Sequence, residues 1–229
     1  METELRLISS MATRALLAEL AHEYPRQGGC RVAVEAVGGV DAARRVRAGE
    51  PFDVVVLAAK AIDELTAAGR IIAGSRVDLV RSGVAVAVRA GAPQPDIGDE
   101  DALRRAVLAA PTLAYSTGPS GVHLQQVFER WGVAAQIAPK IVQAPPGVPV
   151  GSLVADGRVA LGFQQLSELM HLPGIAVIGP LPPGVQIVTT FAGGVATACA
   201  QPDAARALLL WMAGPAAAAA RQRQGMDAA

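Results

Sequence analysis

Strand-like and helix-like segments alternate along this chain, and that alternation constrains the fold more than any other feature. In the first third, a helical pattern follows each of three apolar strand patterns; the strands cover 5–8, 31–37 and 52–57, and the helices cover 11–20, 40–48 and 62–68. A series of this kind predicts parallel strands joined by right-handed crossovers. Apolar residues make up 52% of the chain and aromatic residues only 3%, which favours an α/β fold whose strands are covered by Ala-rich helices.

Two long extended segments divide the remaining pattern. Residues 83–88 form an apolar strand, and residues 186–200 are long enough to return across the molecule. The other predicted elements are helices over 100–109, 119–131, 150–155 and 165–170, strands over 112–115, 140–143, 159–163 and 175–178, and C-terminal helices over 202–212 and from Pro215. We therefore expect two α/β lobes, one of residues 1–82 plus 190–229 and one of residues 83–189, with two crossover strands and a ligand cleft between the lobes.

The junction after the strand at 112–115 is the strongest candidate for a binding site. Ser116 and Ser120 offer hydroxyl donors, Gly121 leaves the backbone accessible, and a helix begins at Pro119. The amino terminus of a helix presents free N–H groups and the positive end of its dipole, which suits a small anion. A well-capped helix without a ligand is the alternative, but capping needs only one such residue, so the surplus of hydroxyl groups favours anion binding.

The other strand ends supply further candidates, because ligands of open parallel sheets lie beyond the carboxyl ends of the strands. The candidate ligand-binding residues at these ends are Ser9, Ser10, Ala59, Lys60, Val148, Gln164 and Gln165. For Ser9 and Ser10, capping of the first helix and contact with a ligand are equally good interpretations. Lys60 would neutralise an anion as a point charge, although a single Lys at a helix start is more typically solvated.

Arg81 is a further candidate ligand-binding residue, and it and the pair Gln164 and Gln165 carry more specific expectations. Arg81, near the predicted crossing between lobes, would either grip a carboxylate in a bidentate manner or brace the hinge through Asp78, and both interpretations are open. Of Gln164 and Gln165, we expect one to donate its amide N–H₂ into the cleft and the other to meet the backbone.

Two side chains are candidates for proton transfer. His123 lies one turn into the helix that begins at Pro119, where a neutral imidazole would remove an allylic proton; an exposed helix histidine without a catalytic role is the favoured alternative. Glu168 is a possible base, but a Glu on a short helix is typically solvent-facing.

Several function classes receive no support from the sequence. The 20 basic and 20 acidic side chains cancel, and a chain with few aromatic residues and no basic stripe argues against nucleic acid as a partner. No metal-ligand spacing, dinucleotide fingerprint or P-loop occurs, so we expect neither a metal nor a cofactor. Cys30 and Cys199 form either a disulfide or two small buried thiols, and the sequence does not decide between these.

The ends and hydropathy of the chain bear on its location. No uncharged apolar run of the length of a membrane span occurs. The start lacks the features of an export signal, so we expect a cytoplasmic protein, or a periplasmic one whose signal has been removed.

The order of these motifs over nearly the whole chain is similar to that of the type II periplasmic solute-binding proteins. The stretches that carry the resemblance are 7–10, 52–57, 74–80, 88–93, 114–121 and 161–169. The chain most resembles the molybdate-binding branch, and the stretch Gly162-Phe163-Gln164-Gln165-Leu166-Ser167-Glu168-Leu169 also resembles that of aconitate isomerase. The resemblance implies a two-lobed periplasmic-binding-protein-like fold whose cleft is lined by Ser9 or Ser10, the segment after Leu57, the 116–121 segment and the turn near Val148.

Two hypotheses follow. In the first, the two lobes close on a small oxyanion such as molybdate, or on a small carboxylate, with a transporter permease as partner if the protein is exported; the donors would be Ser9, Ser10, Ser120, backbone N–H groups near Gly121 and Val148, and Arg81. In the alternative, the same cleft isomerises an unsaturated polycarboxylate by moving an allylic proton, as the resemblance to aconitate isomerase implies.

Overall fold

The computed structural model describes residues 4–145 and 147–229 of the chain. The chain forms two compact units, Met1–Ser82 with Thr189–Ala229 and Gly83–Val188. Each unit is α/β and has its own buried apolar clusters. Pro146, in the turn predicted before Val148, lies outside the described residues.

The first unit is built around three parallel strands. β1 (Glu4–Ser10) pairs with β2 (Arg31–Val37) on one side and with β3 (Val54–Ala58) on the other. The helices that follow these strands are α1 (Arg14–Glu23), α2 (Gly39–Arg47) and α3 (Ala59–Ala67). This is the alternating series that the sequence predicts.

The rest of the first unit comes from later in the chain. β8 (Val188–Val195) pairs with β3 in the antiparallel direction, and β9 (Asp227–Ala228) pairs with the beginning of β4 (Val77–Arg89). The C-terminal helices are α9 (Pro202–Ala213) and α10 (Ala218–Arg223).

Both faces of this sheet are covered, which explains the continuous apolar run in β3. Val54 and Val56 pack into a cluster with residues of α1 and α9, whereas Val55 and Leu57 pack into a second cluster with residues of α2 and α3. Gly193 on β8 permits close contact with α9, since a Cβ at that position would lie 2.2 Å from Leu209 Cδ2.

The second unit contains the end of β4 and three shorter strands. β6 (Leu161–Gln165) pairs with β4 in the antiparallel direction and with β5 (Leu113–Tyr115) in the parallel direction. β7 (Ile175–Pro180) pairs with β4 in the antiparallel direction. The helices are α4 (Glu100–Ala109), α5 (Pro119–Arg130), α6 (Ala134–Ile137), α7 (Val150–Ala155) and α8 (Leu166–Leu169).

The two faces of β6 are covered by different helices. Phe163 packs against Phe128 of α5, with ring centroids 6.2 Å apart. Gly162, on the opposite face, permits the close approach of α7, since a Cβ there would lie 2.5 Å from Val154 Cγ2. Because side chains alternate along a strand, Gln165 lies on the α5 face and Gln164 on the α7 face.

Two predicted elements differ in the structure. The strand predicted over 140–143 is wrong: Ala138–Lys140 is a 3₁₀ helix, for which Pro139 is suited, and Ile141 makes only an isolated bridge to Leu113. β4 begins at Val77 instead of Gly83; the exposed side chains of Asp78 and Arg81 interrupt the apolar pattern there, so the sequence does not indicate a strand.

Within the described ranges, no helix has the length and apolar character that crossing a bilayer requires.

Candidate functional site

In the first unit, the carboxyl ends of three strands and the starts of the helices that follow them lie together at one end of the sheet, its carboxyl edge. β2, β1 and β3 are adjacent and parallel, and they end at Val37, Ser10 and Ala58. Because parallel strands place their carboxyl ends at the same edge, the segments that follow them meet there. α2 and α3 begin directly after their strands, and each starts without a side-chain cap, so their first N–H groups face this edge.

Ser10 has a hydroxyl group that nothing in the described part of the chain binds. Its side chain is only 8% exposed, and Oγ has no hydrogen-bond partner among the described residues. Ser10 precedes the 3₁₀ turn Met11–Thr13 but makes no side-chain cap bond, so the capping interpretation is wrong for Ser10. A buried hydroxyl without a partner costs free energy, and a bound anion at this edge would satisfy it.

Ser9 is engaged within the protein. It is fully buried, and its Oγ donates to the Ser10 carbonyl at 3.2 Å, which also accepts from Thr13 Oγ1 at 3.2 Å. Of the two predicted serines, Ser10 therefore has the available hydroxyl.

Sequence reasoning missed the start of α2 as a part of this edge. A Cβ added to Gly39 would lie 3.6 Å from Ser10 Cβ, so the first turn of α2 is next to the unsatisfied hydroxyl. Gly38 has φ −55°, which any residue adopts, so the backbone does not require glycine there. The signal was present as two consecutive glycines directly after a predicted strand, but only a nucleotide fingerprint was considered for them.

The remaining candidates of the first unit are more exposed. Ala59 is the first residue of α3, and Lys60, the second, is exposed. Arg81 is exposed, and its Nε donates to the Ala228 carbonyl at 3.0 Å. Asp78 pairs with Arg76, with 2.8 Å between Nη2 and Oδ1, so the proposed brace between Arg81 and Asp78 is replaced by a link from Arg81 to β9.

In the second unit, the predicted junction between β5 and α5 is present. Ser116 Oγ and Ser120 Oγ lie 3.0 Å apart and form a hydrogen bond, so these two hydroxyls satisfy one another. Gly121 is required for this turn, because a Cβ there would lie 1.6 Å from the Ser116 carbonyl oxygen.

The two backbone donors expected from the sequence serve turns within the protein. Gly121 N–H donates to the Gly118 carbonyl and Val148 N–H to the Pro145 carbonyl, each at 3.0 Å. Val148 itself is 38% exposed. The ligand roles of Gly121 and Val148 stay predictions. The N–H of Ser120, in the first turn of α5, is an additional candidate donor, because it has no acceptor within the described ranges.

Gln164 and Glu168 form a linked pair at the carboxyl end of β6. Gln164 Oε1 accepts from the Gly151 N–H at 3.2 Å, and Gln164 Nε2 donates to Glu168 Oε1 at 2.8 Å. Gln164 is therefore the glutamine that meets the backbone. Gln165 is 4% exposed and lies on the α5 face.

Glu168 differs most from the sequence expectation. It is half-buried on α8, so the expectation of a solvent-facing side chain is wrong. Burial raises the pKa of the Glu168 carboxyl from its ordinary 4.5 to about 7, and the hydrogen bond from Gln164 opposes this rise. A carboxyl with such a pKa exchanges its proton near neutrality. His123, in contrast, is exposed on α5.

The described residues contain no group of three or more His, Cys, Asp or Glu side chains placed to hold a metal ion. Cys30 and Cys199 are free thiols, and burial raises the pKa of Cys199 to about 11.

Known proteins resemble this chain over its whole length. The family model described as bacterial extracellular solute-binding protein matches residues 5–227. An aconitate isomerase from Pseudomonas sp. is 38% identical, over 98% of this chain and 87% of its own length. The periplasmic molybdate-binding protein of Azotobacter vinelandii superposes with a TM-score of 0.80 at 22% identity, over 97% of this chain and 98% of that one.

A second solved structure supports the same fold. The tungstate ABC transporter structure from Geobacter sulfurreducens superposes with a TM-score of 0.76 at 17% identity, over 96% of this chain and 98% of that one. At these identities the structural matches show the fold alone. They confirm the α/β fold of the periplasmic-binding-protein type that the sequence predicts.

Proposed function

This chain belongs to the bacterial extracellular solute-binding protein family, and from that membership we propose that it binds a small anion, either an oxyanion such as molybdate or a small carboxylate. The observation that carries this proposal is the buried hydroxyl of Ser10, which lacks a partner among the described residues and lies next to the start of α2. Hydroxyl and N–H donors at helix starts recognise oxyanions and carboxylates through charge-assisted hydrogen bonds.

Each unit, taken by itself, has donors that suit a small anion. In the first unit these are the Ser10 hydroxyl and the first N–H groups of α2 and α3. In the second unit they are the hydroxyls of Ser116 and Ser120 and the N–H of Ser120 in the first turn of α5, a helix of 12 residues. The Ser116–Ser120 pair retains a second hydroxyl proton for the ligand, because two hydroxyl groups that share one hydrogen bond have one proton left over.

The family also suggests where the protein works. Its model describes extracellular proteins, and related structures include ABC transporter components. We propose that the protein delivers its anion to a transporter permease after export.

Titration calorimetry with molybdate, tungstate, sulfate, citrate and the two aconitates tests the binding function. Ser10→Ala should weaken the preferred anion about 10-fold or more, because one hydrogen bond to a charged group contributes about 1.5–3 kcal/mol. Ser82→Ala is the matched control, since Ser82 is 1% exposed and its Oγ also has no partner in the described ranges, but it lies within β4 and away from its end.

The titrations with the two variants either support or contradict the proposal. A loss with Ser10→Ala and none with Ser82→Ala supports the proposal. Absence of heat with every anion, or equal effects of the two substitutions, contradicts it.

A second function, isomerisation of an unsaturated polycarboxylate, is supported by the 38% identity to an aconitate isomerase. The same donors would hold the carboxylates and stabilise the charge that develops when an allylic proton leaves. Proton NMR of trans-aconitate with the protein in deuterated water tests this function. Formation of cis-aconitate with uptake of deuterium supports it, and the absence of both rules it out.

A further inference from the structure

We propose that Glu168 is the base of this isomerisation and that Gln164 orients it, an inference that rests on the proposed isomerase function. The Glu168 carboxylate would take the allylic proton from one carbon of the substrate and return a proton to the carbon at the other end of the allylic system. Glu168 would then be the group that contacts the reacting atoms, and Gln164 would be a positioning residue.

The first support is the location of Glu168. It lies on α8, three residues beyond the last residue of β6, and ligands of this type of sheet lie at the carboxyl ends of strands. Ser116 and Ser120 follow β5, which is parallel to β6 and adjacent to it. Glu168 is half-buried rather than fully enclosed, so part of its surface is open to a substrate.

The second support is the fixed orientation of the carboxyl group. Gly151 presents a backbone N–H, which can only donate, so the oxygen of the Gln164 amide must face it. The amide nitrogen must then face Glu168, where it donates to Oε1 at 2.8 Å. The Gln164 amide therefore has one orientation, and one carboxyl oxygen of Glu168 is held by it. A general base transfers protons efficiently when a hydrogen bond from a neighbouring group holds it in one orientation.

The position of Gly151 is itself fixed by packing. A Cβ at residue 151 would lie 2.5 Å from Leu172 Cδ1 and 3.0 Å from Leu169 Cδ2. The start of α7 is therefore in close contact with α8 and the residues after it. The hydrogen-bonded series from Gly151 through Gln164 to Glu168 therefore has little freedom to move.

The electrostatic surroundings of Glu168 suit a base that works near neutrality. α8 is in contact with β6, β7, β4 and the start of α7, and neither β6 nor β7 contains a charged residue. α7, which is linked through Gln164, also has none, and its C-cap Asp156 is exposed. In the second unit β4 contributes only Arg89, which is exposed, as is His171 beyond α8. Burial therefore dominates, and it raises the pKa of Glu168 to about 7.

The proposed step balances without a co-reactant. A C–H bond breaks and an O–H bond forms on Glu168, while the electron pair spreads from the allylic carbon through the double bond into the conjugated carboxylate. The protonated Glu168 then gives a proton to the other end of the allylic system, so that a new C–H bond forms and the double bond has moved. No oxidation or reduction occurs, and the hydroxyl and N–H donors stabilise the intermediate negative charge.

Glu168→Gln is the decisive variant. Glutamine at residue 168 retains an oxygen that accepts from Gln164 Nε2, so the fold and the affinity for aconitates should remain, but it cannot take a proton. We expect kcat for isomerisation and the rate of deuterium uptake to fall about 100-fold or more, which is the usual contribution of a general base. In the wild-type protein kcat should rise with pH through about 7, the pKa of Glu168, as the ionised form accumulates.

Two further variants complete the experiment. Glu129→Gln is the matched control, because Glu129 is an exposed carboxylate on α5, and it should retain full activity. His123→Gln tests the competing base. If His123→Gln abolishes deuterium uptake and Glu168→Gln does not, the proposal is overturned in favour of His123.

Failure of the inference and failure of the underlying function give different results. If the wild-type protein isomerises aconitate and Glu168→Gln does so at a similar rate, the role of Glu168 is overturned and the isomerase function stands. If the wild-type protein binds aconitates but neither isomerises them nor takes up deuterium, both are overturned and anion binding remains.

Discussion

In each unit the parallel strands have their carboxyl ends at one end of the sheet, termed the first edge in the first unit and the second edge in the second unit. The two edges differ in whether their polar groups have hydrogen-bond partners. At the edge of the first unit, the Ser10 hydroxyl lacks a partner among the described residues and helix α2 begins beside it. At the edge of the second unit, Ser116 binds Ser120, and Gln164 binds both Gly151 and Glu168.

This difference indicates a division of roles. A buried donor without a partner is destabilising by itself and becomes favourable when a ligand accepts from it, so the first unit is suited to binding charge. Polar groups that hold one another are pre-organised, so the second unit is suited to keeping a titratable group in place. The predictions below test that distinction.

The largest effect should come from a substitution of Gly121, which lies between β5 and α5 at the second edge. Gly121→Ala would place a Cβ 1.6 Å from the Ser116 carbonyl oxygen, so the turn between β5 and α5 must rearrange. We expect a loss of about 4 kcal/mol in the free energy of unfolding, a value reserved for severe disruptions. Gly39→Ala at the first edge would place a Cβ 3.6 Å from Ser10 Cβ, an ordinary van der Waals distance, and should change the free energy of unfolding little. Urea unfolding of both variants measures the difference, and equal stabilities would show that the second edge is not rigid.

The next effect concerns the pH dependence of stability. In the folded state the pKa of Glu168 is raised from 4.5 to about 7, so between these values the folded protein holds a proton that the unfolded chain has released. Unfolding then releases a proton, and stability falls as the pH rises from 4.5 to 7. Since one unit of pKa corresponds to about 1.4 kcal/mol, the total fall is about 3 kcal/mol.

Glu168→Gln should remove this part of the pH dependence. The variant should match the wild type near pH 4.5 and exceed it in stability by about 3 kcal/mol at pH 8, because it no longer buries a charge there. Urea unfolding at a series of pH values measures the difference between the two proteins. A constant difference across the range would show that Glu168 ionises as it does in water.

A smaller effect should distinguish the hydroxyl groups of the two edges. Ser116→Ala removes the partner of Ser120, which is only 7% exposed, and should cost about 1 kcal/mol of stability. Ser10→Ala removes a hydroxyl that binds no described residue, so the stability of the free protein should be unchanged or slightly higher. Calorimetric unfolding without ligand tests both, and a loss on Ser10→Ala equal to that on Ser116→Ala would remove the difference between the edges.

Much of the fold could be predicted because local patterns determine it. The helices Glu100–Ala109 and Val150–Ala155 and the strand Arg31–Val37 have the predicted bounds. Each has a regular apolar pattern or an N-terminal signal, such as Asp99, whose side chain caps α4 at 2.7 Å. The segment 140–143 was predicted incorrectly, because its short apolar pattern resembles a strand but makes only one bridge.

The sequence predicts which polar residues stand at strand ends and helix starts, but it does not predict whether their polar groups have hydrogen-bond partners. Strand ends and helix starts are visible in the sequence, so the positions of Ser10, Ser116 and Ser120 at such junctions could be predicted, and their ligand roles stay predictions. Whether a hydroxyl has a partner depends on tertiary neighbours, as the difference between Ser10 and Ser116 shows. The pKa of Glu168 depends on the apolar contacts of α8 with distant strands, which no local pattern reveals.

The smallest effect concerns two lysines, one in each unit. Lys60 is exposed at the start of α3, so Lys60→Ala should change stability by less than about 0.5 kcal/mol. Its charge should nevertheless attract an anion at the first edge, and affinity should fall about threefold at low salt and not at all in 0.5 M salt, because salt screens exposed charges. Lys140 donates to the Leu108 carbonyl at 2.6 Å, so Lys140→Ala should cost about 1 kcal/mol of stability and leave affinity unchanged. Calorimetric titrations at both salt concentrations would contradict the division of roles if Lys140→Ala, and not Lys60→Ala, weakened binding.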